Sequence, residues 1–191
     1  MIPALLAVLL ATPAHADPVA LRAPGSGITL AAAGPAVSGA FWLGEGHTTK
    51  GAFDLGFGAE GDLRGGPVGA TVAGARTLVR GPGGLGVDVT LAGSVLVPVV
   101  SPALALGATP SIFFGWRGAR VDGGLGVVVP VVGRIAPDPS VRASVLAEPW
   151  IGVHAGPVSV GAGAAMGPVF TADELWAVDL RWMLSVGIEP K

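Results

Sequence analysis

Cysteine is absent from the 191 residues. That excludes a disulfide framework, thiolate metal sites and a lipid anchor acylated on cysteine. Charge is scarce: Asp, Glu, Lys and Arg make up 13% of the chain, whereas a soluble surface alone wants roughly a quarter to a third. There is no basic block, and the formal net charge is −2, so nothing points to a nucleic-acid partner. Also missing are uninterrupted apolar runs of ~18 residues, which a membrane-crossing helix requires. Tyrosine does not occur at all.

What is present is hydrophobic and broken into short pieces. The hydrophobic share is 51%, with 32 Gly and 17 Pro, and the mean hydropathy is +0.68. So many helix breakers predict low helix content. High hydropathy without helical spans is the signature of a chain whose apolar residues occupy every second position, as in a transmembrane β-barrel.

The clearest case is the stretch 176–189. Trp176, Val178, Leu180, Trp182, Leu184, Val186 and Ile188 alternate with Ala177, Asp179, Arg181, Met183, Ser185, Gly187 and Glu189. One face is continuously apolar and the other small or charged, over a length well beyond the ~5–6 residues of an ordinary strand. About 9–11 residues tilted near 45° cross a bilayer. This stretch is therefore long enough to serve as the closing strand of a membrane barrel.

At the other end, 1–16 reads as a secretory signal peptide. Leu5 to Ala11 form its apolar core, and Ala14-His15-Ala16 gives the small-x-small cleavage pattern before Asp17. No Lys or Arg precedes that core. The remainder, 17–191, is expected to be one domain. Gly, Pro and charged turns separate candidate strands at 27–33, 37–43, 51–60, 67–79, 85–97, 111–116, 122–132, 141–154, 158–169 and 176–189. Residues 98–110 are less regular and read as containing a longer loop, and 134–140, with Pro137-Asp138-Pro139, as a loop. A closed barrel takes an even strand number. The expectation is a closed antiparallel transmembrane β-barrel of 8–10 strands: ten if the two N-terminal candidates belong to it, eight if not.

Three patterns favour a bilayer over a soluble β-sandwich. The strand charges Asp54, Asp88, Arg142, Glu148, Asp179 and Arg181 fall opposite the bulky apolar residues, which would aim them into a lumen. The rest of that face is Gly, Ala, Ser and Thr, small enough for a narrow interior. Trp42, Trp116, Trp150, Trp176 and Trp182 lie mostly near strand ends, where indole rings favour a membrane interface. A sandwich would instead need a polar outer face.

On these features the chain resembles small bacterial outer-membrane β-barrel proteins, the broad class of OmpA-type and OmpX-type barrels. The resemblance spans the signal peptide and the alternating strands from about Gly27 to Glu189. It implies residence in the outer membrane, contact with outer-membrane lipid, and assembly by the barrel-insertion machinery. Such proteins commonly finish on an aromatic residue that this machinery reads, whereas this chain ends Ile188-Glu189-Pro190-Lys191.

Candidate chemistry is thin. His47 and His154 are the histidines of the mature chain; His154, Ser159 and Glu148 are the residue types of a hydrolase triad. Barrel deacylases carry His-x-Ser, and here the run is His154-Ala155-Gly156, so a turn or interface histidine is the favoured reading. No metal-ligand spacing or phosphate-binding loop occurs, and no cofactor is expected. The expected role is non-enzymatic: a structural or interaction protein of the cell envelope, with a lumen plugged by side chains. A narrow solute pore and a secreted or periplasmic soluble β-protein are the alternatives.

Overall fold

The computed structural model describes residues 25–33, 36–45, 50–62, 67–98, 104–136, 139–171 and 177–188. The expected signal peptide, His47 and Trp176 lie outside them. Within them the two-residue alternation resolves into twelve antiparallel strand segments: β1 (Gly25–Ala33), β2 (Ala36–Gly44), β3 (Phe53–Asp62), β4 (Pro67–Arg80), β5 (Leu85–Pro98), β6 (Leu104–Arg117), β7 (Val121–Val128), β8 (Val131–Ala136), β9 (Ser140–Ser144), β10 (Leu146–Ala155), β11 (Val158–Thr171) and β12 (Ala177–Ile188). Glycines at positive φ (Gly51, Gly83, Gly84 and Gly156) sit in the tight turns between strands, where a side chain would strain the backbone.

All twelve segments belong to one sheet. Neighbours from β1 to β7 pair in sequence; β7 continues to β10, β10 to β11 and β11 to β12. The last strand then returns to the first, from Ile28↔Ile188 to Ala33↔Met183. Hydrogen bonds thus run through a closed, barrel-like ring of ten strands.

β8 and β9 lie in the same wall. The register Ser111↔Val128 between β6 and β7 continues as Ala108↔Val131 between β6 and β8, three residues on along both chains. Likewise β10 and β9 meet β11 in one register, through Ala147↔Met166 and Val169↔Ser144. So β7 and β8 are two halves of one wall strand, and β9 and β10 two halves of the next.

Proline explains the interruption. Val129 N–H donates to Pro110 C=O (3.0 Å), Ser144 N–H to Pro130 C=O (3.0 Å) and Val145 N–H to Pro168 C=O (3.1 Å). A hydrogen-bonded antiparallel pair exchanges two such bonds, and proline has no N–H to return the second. Three adjacent pairs in one row are therefore only half bonded.

Two loop expectations are narrowed by the strands that run into them. Residues 104–110 are strand, since Leu104, Leu106, Ala108 and Pro110 keep the alternation that Gly and Pro obscured; β8 and β9 likewise run into 134–140 from both sides. The ring is also staggered. A row of paired residues starting at Ile188 on β12 passes through Ile28, Phe41, Phe57, Val72, Gly93, Ala108, Val131 and Ala143. It reaches β11 at Phe170, next to Val169, whose partner is Ala177. One circuit thus climbs essentially the 12 residues of β12, which requires strands tilted by roughly 35–45°.

The end carrying Gly25, Ile188, residues 50–52 and the turns at 81–84, 118–120 and 156–157 is termed the terminal rim, the opposite end the distal rim. Outward residues are bulky and exposed, such as Phe57, Leu91, Ile151 and Leu180 at 72%; inward ones are small, polar or buried. The buried set is mixed, Asp54, Thr77, Asp88 and Glu148 standing beside Trp42, Leu96, Phe113 and Trp150. This is one sheet closed on itself, without the dry layer between two sheets that a sandwich requires.

Candidate functional site

The interior is the place where chemistry-bearing side chains gather, because the closed sheet turns one parity of every strand inward. Near the terminal rim, β3, β5 and β7 contribute Asp54, Asp88 and Asp122, all buried. Arg80, turned inward beyond a register shift between Thr77 and Val79, donates through Nη1 to Gly84 C=O (3.2 Å). Its Nη2 stands 3.9 Å from Asp88 Oδ1.

Asp122 is fully buried and held from two sides. Gly118 N–H donates to its Oδ1 (3.0 Å), and its Oδ2 is in contact with His154 Nε2. The main chain fixes that histidine too, since His154 N–H donates to Arg120 C=O (2.8 Å). Ser159 is buried and directly opposite His154 across β10 and β11. No hydrogen bond joins its hydroxyl to the imidazole, and Glu148 lies further along β10 with its carboxylate away from this end. The grouping His154, Ser159 and Glu148 is not assembled; the acid that His154 meets is Asp122.

Above this tier sit three aromatic rings. Phe113, Val128 and Trp150 form one buried cluster, and Trp42 is buried as well. Each ring occupies ground that a glycine leaves open. A Cβ at Gly56 would come 2.5 Å from the Trp42 indole, one at Gly115 3.1 Å from that of Trp150, and one at Gly126 would strike the Phe113 ring. Trp42 and Trp150, expected at a membrane interface, thus face inward. The reason is parity: Trp42 alternates with exposed Phe41 and Leu43, and Trp150 shares its face with Glu148. Trp116 and Trp182 do face outward, Trp116 lying across Gly123.

Toward the distal rim, Asp179 is clasped by two arginines. Arg142 Nη2 donates to its Oδ2 (3.3 Å) and Arg181 Nε to its Oδ1 (2.9 Å), with Arg181 Nη2 also touching Oδ2. β11 separates Arg142 from Asp179: Thr171 stands opposite Arg142 and Gly167 opposite Asp179, with buried Val169 between those two levels. Glu148 is buried two strands from Arg181, beyond Ala165, and its Oε1 has no hydrogen-bond partner among the described residues. The six expected interior charges therefore divide: Asp54 and Asp88 near the terminal rim, Arg142, Asp179 and Arg181 near the distal rim, Glu148 between. Asp122, Arg80 and His154 belong with the first group; parity on β7 and β10 was the available signal for Asp122 and His154, whereas Arg80 shares its parity with outward Arg76 and turns inward only through the register shift.

The outward face is the other candidate surface. Among the described strand residues, every outward side chain is uncharged except Arg76 on β4. Also among the described residues, no group of three His, Asp or Glu is placed to hold a metal ion, and no helix is long and apolar enough to cross a membrane.

Compared with models of known families and with curated proteins, the chain matches none.

Proposed function

We propose that this chain is a bacterial outer-membrane β-barrel, exported by its N-terminal segment, seated by the insertion machinery, and crossing the bilayer with ten wall strands. Its role is structural or interaction-based, with side chains plugging the lumen and no catalytic activity. The observation that carries this reading is the outer wall. All its described strand positions but one are uncharged, and its Leu, Val, Ile and Phe residues are widely exposed. In water such a wall would be an aggregation surface far larger than the few hundred Å² that soluble proteins tolerate; in hydrocarbon it is the favourable face.

The dimensions agree. Strands β4, β5, β6 and β11 have 14 residues each. That is about 46 Å of strand at ~3.3 Å per residue, or about 35 Å of height at a tilt near 40°. A hydrocarbon core is about 30 Å thick. A closed ring also leaves no backbone edge to face lipid.

Expression with membrane fractionation tests the proposal. The expected result is recovery in the outer-membrane fraction, with a gel mobility that changes on boiling. Recovery as soluble periplasmic protein with no mobility change refutes it.

A narrow pore is the second reading, favoured by polar atoms in the interior that have no hydrogen-bond partner among the described residues: the hydroxyls of Thr90, Ser94, Ser111 and Ser144, Trp150 Nε1 and Glu148 Oε1. Buried polar atoms of this kind call for water. Conductance across planar bilayers separates plug from pore.

A further inference from the structure

Arg76 breaks the pattern of the wall. It points outward from β4, four residues short of that strand's terminal-rim end, and is exposed. Its direct cross-strand neighbours are Phe53 on β3 and Val89 on β5. It makes no ion pair or side-chain hydrogen bond with any described residue. A second cation stands close by. The turn after β2 folds against β4, with Gly51 N–H donating to Thr77 C=O (2.7 Å) and Thr77 N–H to Ala52 C=O (3.0 Å). This extends the β3–β4 pairing past Phe53 and brings Lys50, exposed and likewise without an ion pair, to the same rim.

Two cations with no counter-ion among the described residues, beside an otherwise uncharged wall, offer a place for an anion from outside the protein. A guanidinium on such a wall is tolerated near its edge and costs far more at mid-height. Arg76 sits at the edge. The planar guanidinium matches a phosphate with two parallel donors, while an ammonium adds a point charge. We propose that Arg76 and Lys50 form a binding site for the phosphate of an anionic phospholipid headgroup, in the leaflet met by the terminal rim, with Phe53 and Val89 against the adjoining acyl chains. The site fixes how deeply this rim sits. It rests on the membrane-barrel reading, because only a bilayer brings headgroups to this height.

The test uses the full mature chain refolded into vesicles of phosphatidylcholine alone, and of equal parts phosphatidylcholine and phosphatidylglycerol. The measurement is the denaturant unfolding equilibrium. The expected result is a gain of about five-fold per cation in the anionic vesicles. Arg76→Gln and Lys50→Gln should each remove their share, while Arg120→Gln, in a different turn of the same rim, leaves these two shares intact. Arg76→Lys should keep part of the gain, since the charge remains and the bidentate geometry does not. An unchanged gain in Arg76→Gln, with normal insertion, overturns the site alone. So does an equal loss from Arg76→Gln and Arg120→Gln, which is the mark of diffuse attraction. If the wild type acquires no heat-modifiable mobility in either vesicle, the barrel reading fails and the site fails with it.

Discussion

Replacing Leu91 by arginine separates a membrane wall from a water-facing one. Leu91 is the seventh of 14 residues in β5, is 61% exposed, and has Gly74 and Pro110 as cross-strand partners. A new guanidinium there meets no carboxylate, because the outer face has none among the described strand residues. Were this face in water, the substitution would belong with ordinary surface changes, within about 0.5 kcal/mol. At mid-depth in a bilayer it costs ~2–4 kcal/mol, which is roughly 30- to 800-fold in the folding equilibrium. Leu85→Arg supplies the depth control. Leu85 is the first residue of the same strand, at the terminal rim and equally exposed, where the cost falls to ~0–1 kcal/mol. The assay is denaturant titration of each variant refolded in vesicles, followed by tryptophan fluorescence and by protection from protease. A gradient from Leu85 to Leu91 is expected. Equal effects at the two positions, or a Leu91 variant as stable as the parent, would refute the membrane wall.

The remaining predictions concern the interior and the proline row. Gly126→Val should collide with the Phe113 ring and lower stability by about 1–3 kcal/mol, read as a reduced denaturant midpoint. Trp150→Ala removes one of the two indole rings of the aromatic tier and should raise single-channel conductance over the parent; if conductance does not change, that tier is not the constriction. Asp122→Ala takes away the acceptor for Gly118 N–H and for His154, an expected loss of ~1–3 kcal/mol by the same titration. Pro168→Val restores an N–H opposite Val145 C=O and should raise stability by about 1 kcal/mol, read as a higher midpoint, with slower amide exchange at Val145.

The wall was largely legible because alternation is a local signal. From Val178 to Ile188 each residue's exposure follows from its parity alone, and the same rule sorted Leu125, Val127 and Val131 to one side. Position near a strand end was the weaker guide: it assigned Trp42 and Trp150 to an interface, whereas parity puts both inside. Segment 104–110 was obscured because Ala, Gly and Pro carry little hydrophobic contrast. Contacts between distant strands were out of reach altogether. Asp122 and His154 are 32 positions apart, and only the pairing of β7 with β10 brings them together. Likewise, nothing local says that Arg142 on β9 and Asp179 on β12, 37 positions apart with β11 between them, meet.

The pairing of β1 with β12 has a consequence for assembly. Every other junction in the ring joins segments that hairpins or neighbouring halves of a wall strand already hold near one another; this one joins the two that the chain keeps farthest apart. Until Met183–Ile188 zip onto Ile28–Ala33, the sheet is an open ribbon with two bare edges, each offering unspent donors and acceptors to any passing strand. Closure is then the slow, non-local event. If the chain is the membrane barrel proposed above, a chaperone or an insertase would have its work at this one seam, guarding both lips until they meet.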